Sequence, residues 1–149
     1  MGKKPERPER GDLVNAAVPV QPTRKPASYP LADPDECEEY ERRVVLSAEN
    51  QLYVRFQLWK DRLIVEFTVG QIVRYNGRWV EVARIDSCHN SIHKHQLSKS
   101  APRNTTGQRA VLEEIPHENP WSCVDRWYDL ALTKMQNEWT ENIRRWRVG

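Results

Sequence analysis

Three of the chain's four histidines, His89, His93 and His95, fall within seven residues. They stand in the stretch Arg84-Ile85-Asp86-Ser87-Cys88-His89-Asn90-Ser91-Ile92-His93-Lys94-His95. Histidine ordinarily titrates near neutral pH and is the commonest metal ligand. Three uses of the segment are open. In the first, His89, His93 and His95 serve as general acid and base, Asp86 fixes a tautomer, and Arg84 or Lys94 binds an oxyanion or phosphate. That set suffices for metal-independent cleavage of RNA, where a 2′-hydroxyl loses a proton and a leaving oxygen gains one. In the second, His89, His93 and His95 hold a metal such as zinc, with Asp86 as a further ligand. The spacing matches no recognised zinc pattern and Lys94 intervenes, so no cofactor is expected and zinc is the lesser alternative. In the third, the histidines are polar residues of a surface hairpin. Cys88 adjoins His89, but neighbours in a strand point to opposite faces, so Cys88 is read as a packing residue. His117 stands apart and is read as a loop or capping residue.

A strand over Ile92–Leu97 would put His93 and His95 on one face, and a hairpin would bring Arg84 and Asp86 to them across the ladder. The flanking sequence supports such a sheet. Leu52, Val54, Phe56 and Leu58 alternate with Tyr53, Arg55, Gln57 and Trp59, the two-residue period of a half-buried strand. Lys60-Asp61 reads as a tight turn, and Leu63 to Val69 as the next strand. A phase slip marks Gly70 as a candidate bulge. Asn76-Gly77 between apolar runs signals a hairpin, returning through Trp79 to Asp86. Residues 99–108 are rich in turn formers and read as a loop, and Arg109–Ile115 as a last strand.

The C-terminus has a helical period. Asn119-Pro120 offers an N-cap and first helical residue, with Ser122 and Asp125 as an alternative capping box. Trp121, Val124, Tyr128, Ala131, Met135, Trp139, Ile143 and Trp146 then form an apolar stripe over about 25 residues. Tryptophans at this spacing belong to a core rather than to base-stacking platforms; Trp59 and Trp79, each beside a turn, are left open. The fold class expected is α+β: an antiparallel meander of about five or six strands covered by a long C-terminal helix, forming one domain over residues 42–149. Residues 1–41 read as a proline-rich, disordered tail, including the acidic run Asp33–Glu41, which is expected to be solvated.

At 149 residues the chain has room for one ordinary domain and a tail. Residues 1–50 carry 8 Lys/Arg against 10 Asp/Glu and residues 51–149 carry 15 against 11, so the domain is mildly basic and permits an anionic partner. No apolar run approaches the ~20 residues of a membrane span, and no membrane partner is expected. Three separated cysteines and the absence of a secretory signal point to the cytoplasm.

Gly77-Arg78-Trp79-Val80-Glu81-Val82-Ala83-Arg84-Ile85-Asp86, then His89 and His93, then a helix containing Asn137-Glu138-Trp139-Thr140-Glu141-Asn142 resemble a family of small uncharacterised bacterial and phage-borne proteins. Their central motif runs arginine, aromatic, aspartate, two small residues, His-Gly, two residues, histidine, and they end in a helix with an Asn-Trp pair. The resemblance covers residues 51–149. More distantly, Arg-x-Asp-x-x-His-x-x-x-His-x-His is similar to small toxins of two-gene toxin–antitoxin pairs. That kinship implies a site at Arg84, Asp86, His89, His93 and His95, action on RNA, and a cognate antitoxin. Ile85 replaces the family's aromatic and Asn90 its glycine, although asparagine tolerates the left-handed conformation. The expectation is a toxin-like cytosolic protein acting on RNA. The rival is a non-enzymatic phage or prophage accessory protein that binds a protein partner through its helix or tail.

Overall fold

The computed structural model describes residues 29–30, 32–101 and 109–149. Residues 1–28 and 31 of the tail expected over residues 1–41, and most of the 99–108 loop, lie outside the described residues. Six strands follow one another as a meander: β1 (Cys37–Val45), β2 (Asn50–Trp59), β3 (Leu63–Tyr75), β4 (Arg78–Asp86), β5 (Ser91–Gln96) and β6 (Arg109–Glu114). Every neighbouring pair is antiparallel and the sheet order is β1-β2-β3-β4-β5-β6. Among the described residues a single α-helix, α1 (Pro120–Val148), packs across β3, β4 and β5. This is the α+β meander under a C-terminal helix that the periodicities imply. Among the described residues no helix is long and apolar enough to cross a membrane.

Turn chemistry sets the order. Lys60 and Asp61 both take positive φ, and Arg62 N–H closes the turn on Trp59 C=O at 2.8 Å. Asn76 and Gly77 do the same between β3 and β4. Two successive positive-φ residues form the turn whose twist matches that of the flanking strands.

The acidic stretch expected to be solvated is ordered. After one 3-10 turn at Pro34–Glu36 it becomes β1, one of the sheet's two edge strands. Its carboxylates are surface charges on a strand: Glu39 and Glu41 pair with Arg55 of β2 at 3.0 and 3.3 Å. Alternate residues turn inward, and Tyr40 stacks on Phe56 with ring centroids 5.3 Å apart. Charge on an edge strand protects it from further pairing, and it also hides the strand from a hydrophobicity reading. Tyr29 is likewise buried in the core, its hydroxyl donating to Val65 C=O at 2.7 Å.

The core lies between one sheet face and α1. Leu52, Val54, Phe56, Ile64, Phe67, Val69, Ala83, Ile85 and Ile92 meet Val124, Tyr128, Ala131, Met135, Ile143 and Trp146. The helix stripe is buried as its spacing implies, with Trp121 and Trp139 at its half-buried margins. Trp59 packs beside Trp121, centroids 5.1 Å apart. Asn119 precedes the helix in the left-handed conformation without a side-chain cap bond, and Asp125 closes no capping box; its carboxylate accepts from Ile64 N–H at 2.8 Å, tying helix to sheet.

Three β-bulges interrupt the ladders, the last of them at Leu112 of β6, opposite Ile92/His93 of β5. Opposite Gln57/Leu58 of β2 the extra residue is Val65, whose carbonyl Tyr29 takes up. Opposite Gln71/Ile72 of β3 the extra residue is Val82 of β4. The slip thus falls one residue after Gly70, the position that the apolar phase marks. Gly70 serves another purpose: a Cβ there would stand 2.3 Å from Cε1 of Tyr53, whose ring lies across it.

Candidate functional site

The sheet face away from α1 carries the polar cluster. Cross-strand rows run Tyr53–Gly70–Arg84–His95–Arg109 and Arg55–Thr68–Asp86–His93–Val111. The hairpin inferred from the sequence therefore forms, with Arg84 opposite His95 and Asp86 opposite His93. Although the helix covers the other face, Asp86 is 2% exposed, His93 1%, Arg84 6% and His95 8%.

Hydrogen bonds link these groups in series. The Tyr53 hydroxyl donates to Glu81 Oε2 at 3.2 Å, and Arg84 donates to Glu81 Oε1 at 2.7 Å and to Asp86 Oδ2 at 2.8 Å. Asp86 Oδ1 accepts from Cys88 N–H at 3.1 Å and lies 2.8 Å from His93 Nε2. The other ring nitrogen of His93, Nδ1, lies 3.1 Å from Ser91 C=O and 3.3 Å from the Ser91 hydroxyl. Both nitrogens of the imidazole are thus held, and the His95 ring abuts it edge-on with centroids 4.7 Å apart.

The electrostatics follow from burial and pairing. Burial pushes the Asp86 carboxyl up, but the His93 hydrogen bond and charge, Arg84 and the Cys88 amide outweigh it and hold the acid well below its usual range. Glu81 goes the other way, raised because burial exceeds the pull of Arg84. Tyr53 is raised by burial and by the Glu81 charge.

Glu81 is not legible in the sequence for a physical reason, and Tyr53 joins the network only through it. Residues three apart in a regular strand point to opposite faces. The bulge at Val82 returns Glu81 to the face of Arg84. Nothing short of the register reveals it.

The cluster opens on a cavity of about 30 Å³ lined by Arg84, Asp86, Cys88, His89, His93, His95 and Arg109. That volume admits one or two water molecules, or a single ion. His89 lies in the β4–β5 turn and reaches the cavity from the side; it, rather than Asn90, takes the left-handed conformation there. Cys88 also reaches the cavity wall, two residues beyond Asp86 and on the same face, and the positive φ at His89 then brings that next side chain to the cavity as well. Arg109 is the exposed cation of the rim, placed by its pairing with His95 across a connection too long to read from sequence.

Two expected anion binders are placed otherwise. Arg84 lines the cavity, but its guanidinium bridges two buried carboxylates. Lys94 points to the opposite face, where it meets Asn142 Oδ1 at 2.6 Å and Glu138 Oε1 at 3.2 Å beneath α1. Strand alternation requires this, since Lys94 sits between two histidines that share the other face.

One donor atom each from Asp86, His93 and His95 lie within 4.8 Å of one another, whereas the sequence pointed to His89, His93 and His95 as the metal alternative. His117 lies outside the cavity, in the bend before α1. No protein-family model, no curated protein and no solved structure matches this chain.

Proposed function

We propose that the cavity is an acid–base site acting on RNA, in line with the resemblance to small toxins. The observation that carries the reading is the grouping of His89 and His95 with Arg109 around one opening, beside the fixed Asp86–His93 pair. RNA supplies its own nucleophile, the 2′-hydroxyl, so its cleavage needs only one group to take a proton and another to give one. His89 and His95 line the opening beside Asp86 and take these roles, while His93, bonded to Asp86 and Ser91, fixes the cluster. Arg109 balances the charge that grows on the phosphate in the transition state. A cavity of about 30 Å³ admits a phosphate oxygen but not a base, so the cavity itself reads no base.

The test uses purified full chain, end-labelled mixed-sequence RNA, and a DNA of the same sequence, all with chelator present. The expected outcome is RNA fragments ending in 2′,3′-cyclic phosphate and intact DNA. His89→Ala and His95→Ala should each slow cleavage by about 10²-fold or more, the usual contribution of one acid or base. RNA left whole in this assay defeats the proposed metal-independent cleavage and favours the non-enzymatic partner-binding protein.

A further inference from the structure

We infer that Asp86, His93 and His95 form a binding site for one divalent transition-metal ion of the zinc type. Their donor atoms lie within 4.8 Å of one another, and all three residues are buried on a cavity with room for a single ion. The scaffold is rigid: Asp86 and His93 face each other across the β4–β5 ladder, and His95 follows two residues along the same face of β5.

The outer groups are those a metal site requires. A ligating histidine ordinarily gives its second ring N–H to a carbonyl or carboxylate, which fixes ring orientation and tautomer. His93 has this arrangement, with Nδ1 at 3.1 Å from Ser91 C=O and Nε2 aimed at Asp86 Oδ1. Asp86 is itself held by Arg84 on Oδ2 and by the Cys88 amide on Oδ1. An ion takes the place of the proton between Oδ1 and Nε2. With metal–ligand bonds of about 2.0–2.1 Å at a tetrahedral angle, that gap widens only from 2.8 Å to about 3.3 Å.

Ligand chemistry selects the ion. Magnesium and calcium take oxygen ligands, whereas two imidazoles and one carboxylate suit zinc and its neighbours. Three protein ligands leave the fourth position facing the cavity, where Cys88 and His89 stand. The site does not depend on the RNA reading. The two meet at His95, which cannot carry protons while it binds an ion, so the metal-loaded protein is the slower nuclease.

The experiment is a titration of chelator-stripped full chain with Co²⁺, then Zn²⁺, without RNA. One Co²⁺ per chain should bind, with the intense visible absorption of four- or five-coordinate cobalt, and one Zn²⁺ should displace it. His95→Ala should weaken binding by at least about tenfold, while His117→Ala leaves it unchanged. Because side chains in this cluster are buried, the wild type is also read directly by NMR. One equivalent of Zn²⁺ should shift the ring signals of His93 and His95 and leave those of His117 in place. Absence of binding at micromolar metal overturns the inference. So does an equivalent that survives His95→Ala, or one that moves His89 while His93 and His95 stay put. Cleavage plays no part in this readout, so failure here and failure of the RNA reading are told apart.

Discussion

Along β5 the side chains alternate between two buried polar networks. Lys94 and Gln96 point under α1. There Lys94 meets Asn142 and Glu138, Asn142 Nδ2 donates to Gln71 Oε1 at 3.1 Å, and Gln71 Nε2 donates to Trp139 C=O at 3.0 Å. Gln96 Nε2 adds a bond to Asn142 C=O at 3.1 Å. Ser91, His93 and His95 point the other way, into the series that runs from Tyr53 through Glu81, Arg84 and Asp86. Most of the buried polar groups in both networks are bonded, as burial requires, Gln96 Oε1 being the exception on the helix side. They differ in where they end. The helix-side network closes on backbone carbonyls of α1 and fixes the helix against the sheet. The other ends on a cavity lined by histidines and an exposed arginine. Polar burial alone marks structure, and a network that ends at an opening marks a site.

The largest effect should come from removing the cation shared by two buried acids. Arg84→Ala leaves Glu81 and Asp86 facing each other without it. Breaking a buried charge network by deleting one partner costs about 3–5 kcal/mol, which urea unfolding would register. Arg84→Lys should recover only part, since an ammonium lacks the planar fork that reaches both carboxylates. A loss below about 1 kcal/mol for the alanine variant would mean that the open face carries no coupled charge.

Gly70→Ala tests the roof of the same network. The new methyl meets the Tyr53 ring at 2.3 Å, and overpacking of this kind costs about 1–3 kcal/mol. Adding Tyr53→Leu should relieve the clash, so that the double variant loses less than the two single losses combined, a coupling of about 0.5–3 kcal/mol. Additive losses would place the ring elsewhere.

On the helix side, Lys94→Met strands the buried Asn142 Oδ1, while Glu138 keeps its pairing with Lys134 at 2.7 Å. The expected loss is about 1–2 kcal/mol in urea, within the range for an unsatisfied buried acceptor. Cobalt binding and RNA cleavage should be unchanged, although the residue lies between two proposed metal ligands in sequence. A large change in either would show that the two faces of β5 communicate.

These contrasts also mark what the sequence discloses. Strict alternation in β2 and the Asn76-Gly77 turn make the meander legible, and the 3–4 spacing from Trp121 to Trp146 makes the helix legible. The pairing of Arg84 and Asp86 with His95 and His93 is legible as well, because a short hairpin brings neighbours together by local rules. β1 is not, because its outward charges resemble those of a solvated segment. Glu81 and Arg109 are not either. The first depends on a bulge and the second on a strand register set far along the chain. Lys94 is misplaced when its charge is weighed ahead of alternation; the period-two rule puts it opposite His93 and His95.

The smallest expected effect is a slope rather than a loss, and it separates the two networks by pH. Burial raises Glu81 above its ordinary value, against the pull of Arg84, its contact with Tyr53 and the nearby Asp86 charge being further influences. The folded chain therefore holds a proton on Glu81 where the unfolded chain has released it. Between the ordinary carboxylate pKa and the raised one, unfolding releases that proton, so stability contributed by Glu81 falls as pH rises. One group gives at most about 1.4 kcal/mol per pH unit. Lowered acids elsewhere, such as Glu138 and Glu113, act in the opposite sense, so the quantity to read is the difference between wild type and Glu81→Gln. Glutamine keeps an oxygen for Arg84 and an amide for the Tyr53 hydroxyl but cannot ionise. Unfolding free energies taken in steps from pH 4.5 to 7 should show wild type losing stability relative to the variant as pH rises. A difference that stays flat would mean that Glu81 ionises as an exposed acid does, and that its burial on the open face carries no pH-dependent stability.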